Sequence, residues 1–165
     1  MTFPSWFSSI QLFFVGFILL IQQFKTTPLK NISLLFLSIV GLGFIFLSID
    51  ESISFHEKFN FRFVDVEWLP RFKNNHGLWI PIYLAMIISF LIFSRRQIAD
   101  LWQFYRKELI IFSTGMIFFL QGGVVLEIIS YEYLRVDELS KAYLLEVAME
   151  EGLEMIGASI MLYAS

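Results

Sequence analysis

Cysteine is absent from this 165-residue sequence, histidine occurs twice, and only 16% of the residues are charged. Each shortage removes a class of chemistry. Without cysteine there are no disulfides, thiolate metal sites, iron–sulfur clusters or thiol nucleophiles. Two histidines, His56 and His76, cannot build a three-histidine zinc site, and no H-E-x-x-H motif occurs. No phosphate-cradling glycine–lysine loop and no G-x-S-x-G elbow is found either. The net charge is only −3 and no basic cluster exceeds two residues, so no nucleic-acid partner is expected.

What is present is apolar mass: 57% hydrophobic residues, 18% aromatic, with 20 phenylalanines. A soluble domain of this size cannot bury so many apolar side chains, so the lipid bilayer must face many of them. A helix needs roughly 20 mostly apolar residues to cross the hydrocarbon core. Runs of that kind lie at about 7–24, 28–50, 77–93, 108–130 and 142–165. The expected fold is all-α: a single integral membrane domain over 1–165, a polytopic bundle of about five transmembrane helices in which spans 2 to 5 form a four-helix core.

The first run has no basic n-region and no small-x-small cleavage site before Lys25, so it reads as a retained span. Pro28 suits the first turn of span 2 after a Thr26 or Thr27 cap, and that helix is expected to continue through ESISFHEKF to Phe59. Asn74-Asn75 signals a turn before span 3, with Pro81 near its start, and Ser140 is the expected cap of span 5. Span 5 is barely long enough, so the chain either stops at the membrane edge or is a fragment. Between spans 3 and 4, RRQIADLWQFYRK sets Ile98, Leu101, Trp102 and Tyr105 on one helical face between basic ends, the pattern of a helix lying on the headgroups. The segment FNFRFVDVEWLPRFKNNHG, with Phe59, Phe61, Phe63, Trp68 and Phe72, reads as an aromatic interfacial loop.

Alternating topology divides the 12 Lys and Arg evenly. Lys25, Lys30, Arg95, Arg96, Arg106 and Lys107 fall on one side; Lys58, Arg62, Arg71, Lys73, Arg135 and Lys141 fall on the other. The first set flanks its spans more closely in shorter loops, which places it in the cytoplasm, the N-terminus outside and the C-terminus inside.

The acids follow a sharper pattern. Span 2 ends in Asp50, Glu51, His56 and Glu57; span 4 reaches Glu127 near its end; span 5 opens with Glu146, Glu150, Glu151 and Glu154. Alternation brings those three ends to one membrane face, whereas only Asp100 and Glu108 lie at the other. In a continuous helix Asp50 and Glu57 share a face, and Glu150, Glu151 and Glu154 cover about a third of theirs. An acid at the bilayer centre costs on the order of 3 kcal/mol, and like charges one turn apart repel. A bound cation, shared protons or basic partners must compensate, and His56 and His76 are the nearest candidates for the last. Glu132, Asp137 and Glu138 read as loop and helix-start acids, and Glu146 inclines the same way. Glycines at 41, 43, 122, 123, 152 and 157 flank the acidic positions and let helices approach closely.

Carboxylate-rich, thiol-free ligation suits hard cations, so a divalent or iron-type ion (iron, manganese, magnesium or calcium) is the expected cofactor. Its candidate ligands are Asp50, Glu51, His56, Glu57, Glu127, Glu150, Glu151 and Glu154. One ion would draw Asp50 or Glu57, Glu127, and Glu151 or Glu154 within roughly 6 Å of each other. Four-helix dimetal sites use Glu-x-x-His pairs, but here only E151-x-x-E154 has that spacing, which argues against redox iron. A proton- or cation-coupled transport protein using Glu127, Glu150 and Glu154 is the alternative, and a structural subunit of a larger complex or homo-oligomer is the third reading. At LSIDESISFHE, GGVVLE and EEGLEMIGA the sequence resembles an uncharacterised family of bacterial multi-pass membrane proteins. The resemblance covers spans 2 to 5 and implies a bacterial inner-membrane protein, with no reaction attached.

Overall fold

A computed structural model of the chain describes residues 3–24, 32–63, 72, 77–135 and 140–165, and these are helical with no strand among them. Helix α1 spans Phe3–Ile21 and closes in the 3-10 turn Gln22–Phe24. Helix α2, Leu34–Ile53, begins where the Ser33 side chain accepts a hydrogen bond from the Phe36 amide. This cap satisfies one of the orphan N–H groups of the first turn and sets the start later than the expected Pro28. Thr26, Thr27 and Pro28 lie outside the described residues.

The expected continuation of α2 to Phe59 is corrected. Ser54 adopts the left-handed region (φ 50°, ψ 49°) and ends the helix, and a separate α3 spans Phe55–Arg62. Helix α4, Trp79–Phe93, takes Pro81 in its first turn, where a missing N–H forfeits no helical bond. Helix α5, Arg95–Phe104, follows Ser94 with a 68° bend. Helix α6, Arg106–Leu134, is 29 residues long and carries π-helical turns at Gln121–Leu126 and Ser130–Leu134. Helix α7, Lys141–Ala164, opens on Ser140, whose side chain accepts from the Tyr143 amide as the sequence predicts. The start of the expected aromatic loop is corrected, since Phe59 and Phe61 fall in the helix α3; Phe63 and Phe72 are also described, while Trp68, Asn74, Asn75 and the side chains of Phe59 and Phe61 lie outside the described residues.

Side-chain pairs fix the helix directions. Ser9 meets Ser48 and Gly16 meets Gly41, so α1 and α2 are antiparallel. Phe36 stacks on Phe90 and Phe46 meets Tyr83 at a tilt, so α4 returns antiparallel to α2. Gly115 meets Gly157 and Gly122 meets Glu154, which makes α6 and α7 antiparallel. Ser5 contacts Glu151 and Gln11 contacts Ser159, so α7 runs parallel to α1. The long helices therefore alternate in direction along the chain.

Leu12, Val15, Phe44, Ala158 and Met161 form the principal core, with Phe112, Met116 and Phe119 packed against them. It is built by α1, α2, α6 and α7, so the expected four-helix core of spans 2 to 5 is corrected: the first helix takes the central place assigned to the third. Helix α4 packs at the side, where Trp79 and Ile80 meet Tyr131, Val124 and Ile128. The physical reason is polarity. Ser5, Ser8, Ser9 and Gln11 give α1 a face that needs protein partners, whereas α4 has no such stripe and can face lipid. Three helices, α1, α2 and α6, are long and apolar enough to cross a membrane. Helices α4 and α5 meet that test only as a bent pair. Helix α7 has the length, 24 residues, but its four glutamates keep it outside the apolar group. Phe13, Phe14, Phe17, Leu42, Leu91 and Ile117 are exposed on the outer surface, as lipid contact requires.

Candidate functional site: a buried carboxyl layer

The end of α2 is organised by one carboxylate. Asp50, 5% exposed, accepts from the His56 amide at 2.8 Å through Oδ1 and meets His56 Nδ1 at 2.9 Å through Oδ2. Ser54 gives α3 no side-chain cap, so Asp50 supplies it from the preceding helix. A non-glycine residue in the left-handed region costs about 1 kcal/mol, and these two bonds offset it. The His56 ring lies 4.9 Å from that of Trp79, which packs edge-on against Tyr83 at 5.4 Å. The Tyr83 hydroxyl near Asp50 is buried and makes no hydrogen bond. The break cancels the shared face that a continuous helix would give Asp50 and Glu57. Glu57 falls in α3, and its side chain lies outside the described residues, as does all of His76.

Next to this dyad the acids of α7 form a column. Glu146, Glu150 and Glu154 fall at i, i+4 and i+8, within about 80° of one face and about 12 Å along the axis. Glu146 and Glu154 are buried at 6% and 7% exposure. Glu154 faces Glu51 of α2, Glu127 of α6 and its neighbour Glu151. Glu150 neighbours Glu127, with Glu146 and Glu154 one helical turn away on either side. Glu51 completes the contact with the dyad, lying near Asp50, His56, Glu127 and Glu151. Glu151 turns toward α1 and accepts from Ser5 Oγ at 3.4 Å. Asp50, Glu51, Glu127, Glu150, Glu151 and Glu154 thus come to one level from three helices.

Two glycines make room for the column. A Cβ on Gly122 would sit 2.7 Å from the Glu150 carbonyl oxygen, and one on Gly123 would sit 2.6 Å from Glu154 Oε1. The pair lies in the first π-helical turn of α6, where the hydrogen-bond ladder widens, a feature frequent at functional sites. Glu127 follows in the short α-helical turn between the two π segments.

Sequence reasoning missed several members. Arg135 Nη1 stands 3.8 Å from Glu127 Oε1, with its guanidinium over the Tyr131 ring at 5.3 Å. In the sequence Arg135 reads as a loop cation, although it follows Glu127 by about two helical turns and so falls near the same face. Glu146 joins the layer beside Ser130, Glu150, Glu127 and Arg135. Its spacing of four from Glu150 was the available signal. Tyr131, Tyr83 and Ser5 carried none, because their roles depend on which helices become neighbours.

Among the described residues, no three His, Asp or Glu side chains are grouped to hold a metal ion. A layer of this kind can hold excess protons among carboxyl pairs, or a mobile cation, and Arg135 and His56 are the described basic groups at its rim.

Fold and site together define an all-helical bundle, with helices long and apolar enough for a membrane and a buried polar layer at one end. The chain belongs to the family described as a domain of unknown function, DUF8692, whose model matches residues 1–165. Comparison with curated proteins and with solved structures gives no match.

Proposed function

We propose that this is a multi-pass protein of the bacterial inner membrane, with α1, α2, α4, α6 and α7 as its five spans. Its carboxyl layer exchanges protons, or a cation in their place, with a single aqueous face. The observation that carries the reading is the Glu146–Glu150–Glu154 column against Glu127 and Glu51. Carboxyl groups this close inside a bilayer cannot all stay ionised without a compensating positive charge, and intramembrane acids typically line ion or proton pathways. Exchange with one face is supported by the packing beyond the layer. Leu12, Val15, Ala158 and Met161 are 0% exposed and fill the bundle centre. At the other end Arg135 and His56, with side chains 24% and 21% exposed, mark the way to water.

The test is infrared difference spectroscopy of the protein in vesicles across a pH jump. The carbonyl-stretch band of protonated carboxylic acids should appear and disappear, and Glu150→Gln and Glu154→Gln should each remove part of it. A spectrum without that band, or one that neither variant alters, would overturn the reading. Elemental analysis of the same sample decides against the metal-binding alternative or replaces this reading with it. One tightly held divalent or iron ion per chain, lost in Glu154→Gln, would do the latter.

A further inference from the structure

The end of the bundle opposite the carboxyl layer carries its own chemistry, and nothing in the proton-exchange reading uses it. Helix α5 lies there: α4 ends at Phe93 on the side away from Trp79 and His56, and the Gln97 side chain accepts from the Ser33 amide at the start of α2, at 2.7 Å. That bond ties α5 to the bundle while the 68° bend at Ser94 turns it across the axis of α4. Arg95 and Arg96 open the helix and Arg106 and Lys107 follow it, and all four are exposed. Between them, Trp102 is 49% exposed with the Arg106 guanidinium 4.7 Å above its ring, and Phe93 at the bend is 88% exposed. Asp100 and Glu108 are the acids of this segment, so four cations stand against two acids.

We propose that α5 and its flanking cations are a docking surface for anionic phospholipid headgroups, with Trp102 and Phe93 seated at the headgroup–acyl boundary. Charge complementarity selects this occupant. The surface pairs four exposed cations with exposed aromatics at the level where a spanning bundle meets the interface, and a tilted amphipathic helix there presents its cations to phosphate oxygens. A cation–π partner keeps Arg106 on the ring face and its N–H groups free for phosphate. Each basic residue at a negatively charged surface favours attachment by about fivefold. The α5 end accordingly faces the anionic leaflet, and the carboxyl layer faces the opposite one.

The experiment uses the full chain in nanodiscs of equal parts phosphatidylglycerol and phosphatidylcholine, with co-purifying lipid counted by native mass spectrometry after detergent transfer. The expected result is retention of phosphatidylglycerol over phosphatidylcholine by roughly tenfold or more. The quadruple variant Arg95→Gln, Arg96→Gln, Arg106→Gln, Lys107→Gln should lose this preference. If the variant does not fold, the same retention measured on the unaltered protein against rising salt decides, because headgroup pairing at an exposed surface is screened. A preference that persists in the variant or is insensitive to salt overturns the proposal, as does retention of both lipids alike. Neither readout depends on the carboxyl residues, so failure here leaves the proton-exchange reading standing.

Discussion

The two halves of the bundle use the same helices for opposite purposes. In the half away from the acids, α1 meets α2 at Gly16 and Gly41, and α6 meets α7 at Gly115 and Gly157. Backbone touches backbone there, and Leu12, Val15, Phe44 and Met161 fill what remains. In the other half the glycines of α6 receive glutamates, while α1 presents Ser5 and Ser9 to Glu151, Ser48 and Ser52. Small residues serve close packing in one half and house polar groups in the other. In the membrane setting proposed above, helix association gains no hydrophobic drive, so rigidity would come from such dry close contacts. The apolar half supplies the rigidity, and the polar half can then carry repulsive charge without falling apart.

The largest expected effect breaks the apolar half. In Gly157→Ala the new Cβ would lie 2.5 Å from the Phe119 amide nitrogen and 2.6 Å from the Gly115 carbonyl oxygen. Backbone cannot rotate away as a side chain can, so α6 and α7 must separate. The expected cost is about 3 kcal/mol, at the upper end for overpacking, measured as thermal unfolding in one detergent. Gly43→Ala is the control: nothing lies within 4 Å of its Cβ, and the gain in helix propensity should leave stability unchanged or slightly raised. Equal losses in both variants would mean that the glycine crossing does not hold the half together.

In the polar half, removal of different acids should act with opposite signs. Glu127→Gln removes the carboxylate charge that Arg135 faces across this contact. The 3.8 Å separation and the partial exposure of Arg135 reduce the usual penalty for splitting a buried pair to about 1 kcal/mol. Glu154→Gln removes a group whose electrostatic neighbours are Glu51, Glu127 and Glu151, so stability should hold or rise by up to about 1 kcal/mol. If Glu154→Gln instead lowers the melting temperature as Glu127→Gln does, a cation occupies the layer and metal binding regains the lead.

Much of this division was legible in the sequence, and the failures have a common cause. Alternating direction was enough to put Asp50, Glu127 and Glu154 at one level, because depth follows from chain order and span length alone. Ser140 was readable as a cap because capping is local. Position around the bundle axis is not local. Nothing local ranks α1 above α4 for the centre, since the hydroxyls of Ser5, Ser8 and Ser9 look like ordinary small-residue content until their partners are known. The break at Ser54 was hidden for another reason. A serine in an apolar run continues a helix by default, and only the capture of His56 by Asp50 makes the left-handed turn worthwhile.

A smaller effect separates folding from exchange. In Gly123→Ala the added Cβ would meet the tip of the Glu154 carboxyl and no backbone atom within 4 Å. The side chain can swing aside, so stability should change by less than about 1 kcal/mol. The displaced carboxyl leaves its place facing Glu51 and Glu127, and the protonated-acid band should shift or shrink. A loss of stability like that of Gly157→Ala would show that the two halves share one kind of packing.

A change that leaves the layer untouched is available at the border between the halves. Gln11 is 7% exposed on α1, its Nε2 donating to Ser159 Oγ at 2.6 Å, while its Oε1 is buried without a hydrogen-bond partner. Gln11→Leu keeps a similar volume. It gives up one hydrogen bond, worth about 1 kcal/mol, and removes a buried unpaired carbonyl whose burial costs about 1–3 kcal/mol. Ser159 stays satisfied through its bond to the Met155 carbonyl. The net effect should lie between zero and a gain of about 2 kcal/mol, with the infrared response to a pH jump intact, because access to the layer runs through the rim of Arg135 and His56. Loss of stability would mean that a water completes the Gln11 carbonyl and that polar character extends deeper than the protein groups do. Loss of the pH response would be more serious. It would place the route to water through the Leu12–Val15–Met161 half, and the comparison of a sealed half with an open one would have to be reversed.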